Sequence, residues 1–362
     1  MHEGYHQNSI EKPRYKIREN CKYGFIDHDG NLAINAIFDF ADDEFAEDLC
    51  AVKMAGKWGF INRDGDIVID PRYEKAERFS DGLALVKNGS GEWGFINHFG
   101  ELVIPFRFYL YPPCGFSESL ARVNINGRIG FIDRNGNLTI VPVFDWAANF
   151  SGGYAVIRSK AGYGFINKIG HMATGDSYEY AGWFREGFAR VAKAGKYGFL
   201  NSHCETAIDR RYDWAGNFSA GIAAVGYNGK VLFINPQEEI INGDMIDDEE
   251  ITQSYGCYGH FGAELWPIFL DRKWGLINRS GNIAIKPFAE KGVGPFIDDA
   301  AWFYNGGAGM GFIDMNGDII IEERFPTLET FGFHAGICGV SDCDGKLAYI
   351  SKKGEYVWQA SF

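Results

Sequence analysis

Lys57-Trp58-Gly59-Phe60-Ile61-Asn62-Arg63-Asp64-Gly65-Asp66-Ile67-Val68-Ile69-Asp70-Pro71-Arg72-Tyr73 spells out one structural unit, and much of the remaining chain rewrites it. Trp58 and Phe60 alternate with Gly59 and Ile61, the period-two pattern of a strand. Asn62 to Gly65 reads as a turn. An Asx side chain bonds the backbone two residues on, and Gly takes the positive φ that closes a short hairpin. Ile67-Val68-Ile69 supplies the returning strand.

Working outward, the aromatic-Gly phrase recurs at Tyr23-Gly24-Phe25, Trp93-Gly94-Phe95, Ile129-Gly130, Tyr163-Gly164, Tyr197-Gly198, Trp274-Gly275 and Met310-Gly311, with a short copy at Tyr349-Ile350. The spacing is roughly 35 residues, the signature of a repeat architecture in which each unit buries its apolar face on its neighbours. Between hairpins runs a crossover: Tyr73-x-x-Ala76-x-x-Phe79-Ser80-x-Gly82 recurs at 144–153 and 212–221. Its spacing predicts one helical or 3₁₀ turn ended by Gly. A further strand follows at Leu83-Ala84-Leu85-Val86, Leu120-Ala121-Arg122-Val123, Phe188-Ala189-Arg190-Val191 and Ile222-Ala223-Ala224-Val225, and leads into the next hairpin. Its Ala-x-Val face stays small, while the middle residue switches between Leu and Arg. The serines at 80, 117, 151 and 219 hold one repeat position, which marks them as crossover caps instead of nucleophiles.

The expectation is an all-β chain of about ten tandem three-stranded antiparallel meanders over residues 15–358, with tails at 1–14 and 359–362. Two arrangements fit: an open curved array, or a closed propeller-like ring. Propellers typically have about 4–8 blades, so ten units favour the open form, with the charged stretch 1–14 shielding an exposed end.

The phrase Lys-Trp-Gly-Phe-Ile-Asn…Gly…Ile-x-x-Pro-x-Tyr…Ala-x-x-Phe-Ser-x-Gly-x-Ala-x-Val resembles the WG-repeat (KWG-repeat) proteins, which are mostly bacterial. The resemblance spans about Tyr15 to Trp358 and implies a binding or scaffold module without catalytic residues. Trp58, Gly59, Phe60, Trp93, Gly94, Phe95, Trp274 and Gly275 are its signature residues here. The pattern breaks at Val231-Leu232-Phe233-Ile234, where the Gly is missing, at Tyr109–Cys114, and at residues 171–177.

Composition narrows the function. Apolar residues make up 46% of the chain, enough for a continuous core, which argues against disorder. The net charge of −13 repels phosphate backbones and anionic lipid, so nucleic acid and membrane surfaces fit poorly and a basic protein partner fits better. Seven scattered cysteines without a C-x-x-C, no apolar leader and no membrane-length apolar run point to a soluble, cytoplasmic protein. Asp27-x-Asp29-Gly30 and Asn62-x-Asp64-Gly65 lack the closing bidentate Glu of a calcium loop, and the histidines lack zinc spacing, so no metal and no cofactor are expected. There is no G-x-S-x-G and no P-loop, so no enzyme is expected.

The distinctive insertion is 239–264, with Asp247-Asp248-Glu249-Glu250 followed by Tyr255, Tyr258, His260 and Phe261. Insertions in repeat proteins gather on one face, often the binding face, so these six acidic and tyrosine residues are the candidate contact for a basic partner. A toxin inhibitor is one specific case. The other reading is carbohydrate or cell-envelope binding, which requires aromatics such as Tyr23, Trp58, Trp93, Tyr163, Tyr197 and Trp274 to be exposed instead of serving as core.

Overall fold

The structure, a computed structural model, describes residues 13–108, 113–219, 221–241, 246–247, 265–270, 272–278, 282–307, 309–330, 332–342 and 344–360. These residues form ten small antiparallel sheets of three or four strands, one per repeat, and no helix. We number them as units 1 to 10. Unit 3 shows the plan, with strands Lys75–Ala76, Ala84–Lys87, Trp93–Ile96 and Leu102–Phe108 paired in that order. The all-β tandem meander read from the sequence is therefore present. The crossover differs from expectation. Instead of a helical turn, it supplies a two-residue strand at the sheet edge, because Ala76 pairs with Val86 and satisfies its backbone there.

Each unit's two faces pack on two different neighbours. In Leu120-Ala121-Arg122-Val123, Ala121 and Val123 enter the cluster shared with unit 3, while Leu120 enters the cluster shared with unit 5. The motif Phe makes the same edge-to-face contact with the crossover Phe of the next unit each time: Phe60–Phe79, Phe95–Phe116 and Phe131–Phe150 all have centroids 4.9 Å apart. Such a pair adds about 1 kcal/mol beyond its buried area.

An open row of ten sheets has nine interfaces, but ten inter-unit clusters are present. The tenth joins Ile17 and Ile26 of unit 1 to Ile337 and Tyr349 of unit 10. There, Tyr349 donates its hydroxyl to Lys16 O at 2.8 Å, and the Tyr15 and Tyr349 rings lie 5.6 Å apart. The units thus close into a ring. The open form, preferred from the unit count, gives way to its alternative. The reason is that opening would leave the apolar face of unit 1 uncovered, and the last sheet offers a matching one. No exposed end remains for residues 1–14 to shield, and residues 1–12 lie outside those described.

Recurrent polar residues tie the ring together. In most hairpins the Asx residue accepts from the backbone two and four residues on, as Asp133 does from Asn135 and Asn137. A carboxylate in one crossover turn accepts from a backbone N–H of the corresponding turn in the next unit: Glu47 from Gly82, Asp81 from Ser119, Glu118 from Gly153, Glu186 from Gly221 and Asp298 from Gly336. The crossover serines do similar work, with Ser80 and Ser117 donating to Phe116 O and Phe150 O. The Lys that opens the signature pairs with a carboxylate beyond the returning strand, as Lys22 with Asp39 and Lys196 with Asp213.

The signature Gly has a reason the period alone does not reveal. The returning strand bulges across it, so that Tyr197 pairs with Tyr212 but Phe199 with Ile208. A Cβ at Gly198 would stand 2.5 Å from Ile208 O. Where unit 7 places Leu232 instead, no long returning strand is present among the described residues. Ile234 makes a lone bridge to Ile240, and a short strand at Ile246–Asp247 pairs with Lys230 and Val231. Unit 5 likewise replaces it with bridges from Tyr163 to Tyr178 and Ile166 to Met172, where the sequence drops its Pro.

Candidate functional site

The position between Ala and Val on the third strand holds Lys16, Arg122 and Arg190 in units 1, 4 and 6. Alternation along the strand turns each of these side chains toward the following unit. Each donates to the same backbone atom, the carbonyl of the crossover Ala there: Ala41, Ala147 and Ala215. What lies beyond that carbonyl differs. Two residues after Ala41 comes Asp43, which forms an ion pair with Lys16. Two residues after Ala147 and Ala215 come Asn149 and Asn217, neutral amides. Arg122 also donates to Cys114 Sγ, 2.8 Å away. Arg190 bonds Tyr180 Oη at 2.7 Å and lies 4.9 Å over that ring, leaving its buried Nε without an acceptor.

Between these two arginines, unit 6 departs from the crossover phrase. Ala181-Gly182-Trp183-Phe184-Arg185 puts Trp183 where its neighbours carry Asn149 and Asn217, and Arg185 where they carry Ser151 and Ser219. The edge strand there is long, Tyr180–Arg185, and irregular between Ala181 and Phe184. Two adjoining cavities of about 470 and 290 Å³ result. Both are lined by Trp146, Trp183 and Arg185; Arg122, Asn149 and Ser151 line the first, and Arg190, Asn217 and Tyr163 the second. Trp146 is 39% exposed and Trp183 55%. Among the described residues no carboxylate lines either cavity, although the chain carries 13 more acidic than basic residues. The groove is a locally cationic, aromatic-walled cleft on an acidic ring.

The profile of the WG containing repeat matches residues 23–58, 58–90, 93–128, 129–160, 163–197, 197–230 and 274–307, more than half of the chain. The chain belongs to the WG-containing repeat family. Among curated proteins, none matches it. Among solved structures, this WG-repeat chain is similar to the crystal structure of a eukaryotic initiation factor, at TM-score 0.55 and 12% identity over 97% of this chain and 96% of that one. At that identity the likeness is one of fold alone, and it agrees with a propeller-like ring. The dihydro-heme d1 dehydrogenase NirN aligns at TM-score 0.42 and 11% identity, over 96% of this chain and 77% of that one. BamB from Moraxella catarrhalis aligns at 0.33 and 12%, over 83% and 92%.

In this WG-repeat ring the signature residues are building material. Phe60 and Phe95 are fully buried and Trp93 nearly so, Trp58 and Trp274 are half-buried against neighbouring units, and Gly59, Gly94 and Gly275 underlie bulged strands. Tyr23, Tyr163 and Tyr197 are also half-buried. Of the insertion, Asp247 lies in the short strand paired with Lys230, while Asp248, Glu249, Glu250, Tyr255, Tyr258, His260 and Phe261 lie outside the described residues. The sequence reading missed Trp146, Trp183 and Arg185. The available signal was a departure within a well-kept crossover, Trp-Phe-Arg in place of Asn-Phe-Ser. Among the described residues no group of three or more His, Cys, Asp or Glu is placed to hold a metal ion, and no helix is long and apolar enough to cross a membrane.

Proposed function

We propose that this chain is a non-enzymatic scaffold whose ring presents its irregular residues to another protein. The observation that supports this most directly is the division of labour between repeated and variable residues. The recurrent Asx, Lys, Ser and crossover carboxylates are engaged in bonds within and between units, so recognition falls to residues that differ from unit to unit. A basic partner, of which a toxin is one case, suits the acidic balance of the chain and the run Asp247 to Glu250. The unpaired, buried thiols of Cys50 and Cys338 suit a reducing, cytoplasmic setting. Affinity capture from the native cell at low and high salt tests the proposal. A basic protein retained at low salt, released at high salt and lost on neutralising Asp247 to Glu250 is the expected result; capture of no partner under either condition overturns it.

A second reading, carbohydrate binding, draws support from one specific observation. Trp146 and Trp183 are exposed in a cleft with amide, hydroxyl and guanidinium groups around them. The aromatics responsible are therefore not the signature residues considered from the sequence, which support the ring.

A further inference from the structure

We infer that the groove across units 4 to 7 binds an acidic saccharide, a sugar ring bearing a carboxylate. This rests on the carbohydrate reading above and specifies its ligand. The apolar face of a pyranose is flat and matches an exposed indole, and ligand clefts commonly combine aromatic walls with a few directed polar groups. Trp183 and Trp146 supply the walls, shared by both cavities. Asn149, Ser151 and Asn217 supply donors and acceptors of the kind that meet hydroxyl groups.

The charge requirement comes from a comparison inside the ring. At one repeat position, Lys16 has its carboxylate, Asp43, built into the next crossover. At the equivalent places Arg122 and Arg190 face Asn149 and Asn217, and Arg190 keeps a buried Nε without an acceptor. Unit 6 adds a third guanidinium, Arg185, at a position where four other units carry serine. A carboxylate brought by the ligand would take the place that Asp43 fills for Lys16. Guanidinium groups suit that task because they bind carboxylates through paired N–H bonds. A nucleic acid would offer anions and stacking bases too, but its many phosphates oppose the net charge of the ring.

The test compares tetragalacturonate with its neutral counterpart, galactotetraose, by calorimetry and tryptophan fluorescence on the full chain. The expected result is binding of the acidic tetramer with quenched indole emission, at least tenfold tighter than the neutral one. Arg185→Ser and Trp183→Asn restore side chains that neighbouring units already carry, so both variants keep the ring. The first should cost at least tenfold for the acidic sugar only, the second for any sugar. Asn149→Asp installs the carboxylate that Lys16 enjoys and should weaken acidic-sugar binding by a similar factor through its pairing with Arg122. Equal or preferred binding of the neutral tetramer overturns the acidic inference while leaving the carbohydrate reading standing. Binding of neither sugar removes both.

Discussion

Gly198 and Gly195 lie three residues apart and are glycine for different reasons. Gly195 has φ +69° in the tight turn, and a Cβ there meets nothing within 4 Å. Gly198 has ordinary strand dihedrals, yet a Cβ would meet Ile208 O at 2.5 Å and Arg210 N at 2.8 Å. Replacing Gly195 by Ala should cost about 1 kcal/mol, the ordinary penalty of the left-handed region. Gly198→Ala should cost about 3 kcal/mol or more, because the bulged strand has to move off the sheet. Denaturant midpoints of the two variants check the order, and equal losses would discredit the bulge as the reason for the signature. The thiols differ by residue as well. Burial first, and then the nearby Asp42 charge, pushes the Cys50 thiol up to about 12, whereas Cys21 is exposed. A thiol reagent at neutral pH should therefore modify Cys21 in the folded chain and reach Cys50 only after unfolding, as mass spectrometry of the labelled peptides would show.

Hairpins were readable and crossovers were not, and the difference is physical. Asp133-x-x-Gly136 is a turn whose conformation its own side chain dictates, since Asp133 bonds Asn135 N at 2.9 Å and Asn137 N at 2.8 Å. The crossover has no such local dictation. Ala147 pairs with Ile157, ten residues further on, and that distant partner, not the aromatic-Ala-Phe spacing, makes it a strand. For the same reason the groove left only a faint trace in the sequence: Trp183 and Trp146 become neighbours through the stacking of units 5 and 6. The Asx turn also makes a pH prediction. Desolvation pulls the Asp133 carboxyl upward, but hydrogen bonds from Asn137, Asn135 and Gly136 outweigh it and hold the group below its usual 3.8. A depressed folded value contributes stability above the unfolded pKa, and that contribution fades as the pH falls through the folded one. Asn occupies the same place in units such as Asn62 and Asn97, with the same two backbone bonds. Asp133→Asn should match the wild type at pH 7 and unfold less readily than it below pH 3.8, by urea midpoints across that range. A constant difference at all pH values would show that the carboxylate charge plays no part.

At the scale of the molecule, the unit count pointed one way and the end units another. Unit 1 opens on Tyr15–Glu19, a third-strand sequence, and unit 10 closes on Tyr356–Gln359, a returning strand, so each end lacks only a neighbour. The hydrophobic faces left over are complementary, and Tyr15, Tyr349, Val357 and Trp358 fill the seam. The turn contacts run in the same direction: Gly65 of unit 2 lies against the Ile34 side chain of unit 1, and Gly30 of unit 1 lies against the backbone of Val357 in unit 10, one residue before the position equivalent to Ile34. A closed ring of this size should scatter with a radius of gyration near the compact-domain value of about 21 Å, which a curved open row would exceed clearly. The seam differs from the other junctions in having no covalent crossover, so its strength rests on side-chain contacts alone. Tyr349→Phe keeps the ring contact with Tyr15 and removes only the bond to Lys16 O, at a cost of about 1 kcal/mol. Tyr349→Ala removes the packing as well and should cost about 3–5 kcal/mol, the range for emptying a buried aromatic site. If the ring is closed, hydrogen exchange in the Ala variant should rise first in strands 15–19 and 347–351, on both sides of the seam together. Protection lost on one side only, or evenly around all ten units, would mean that the two ends do not hold each other.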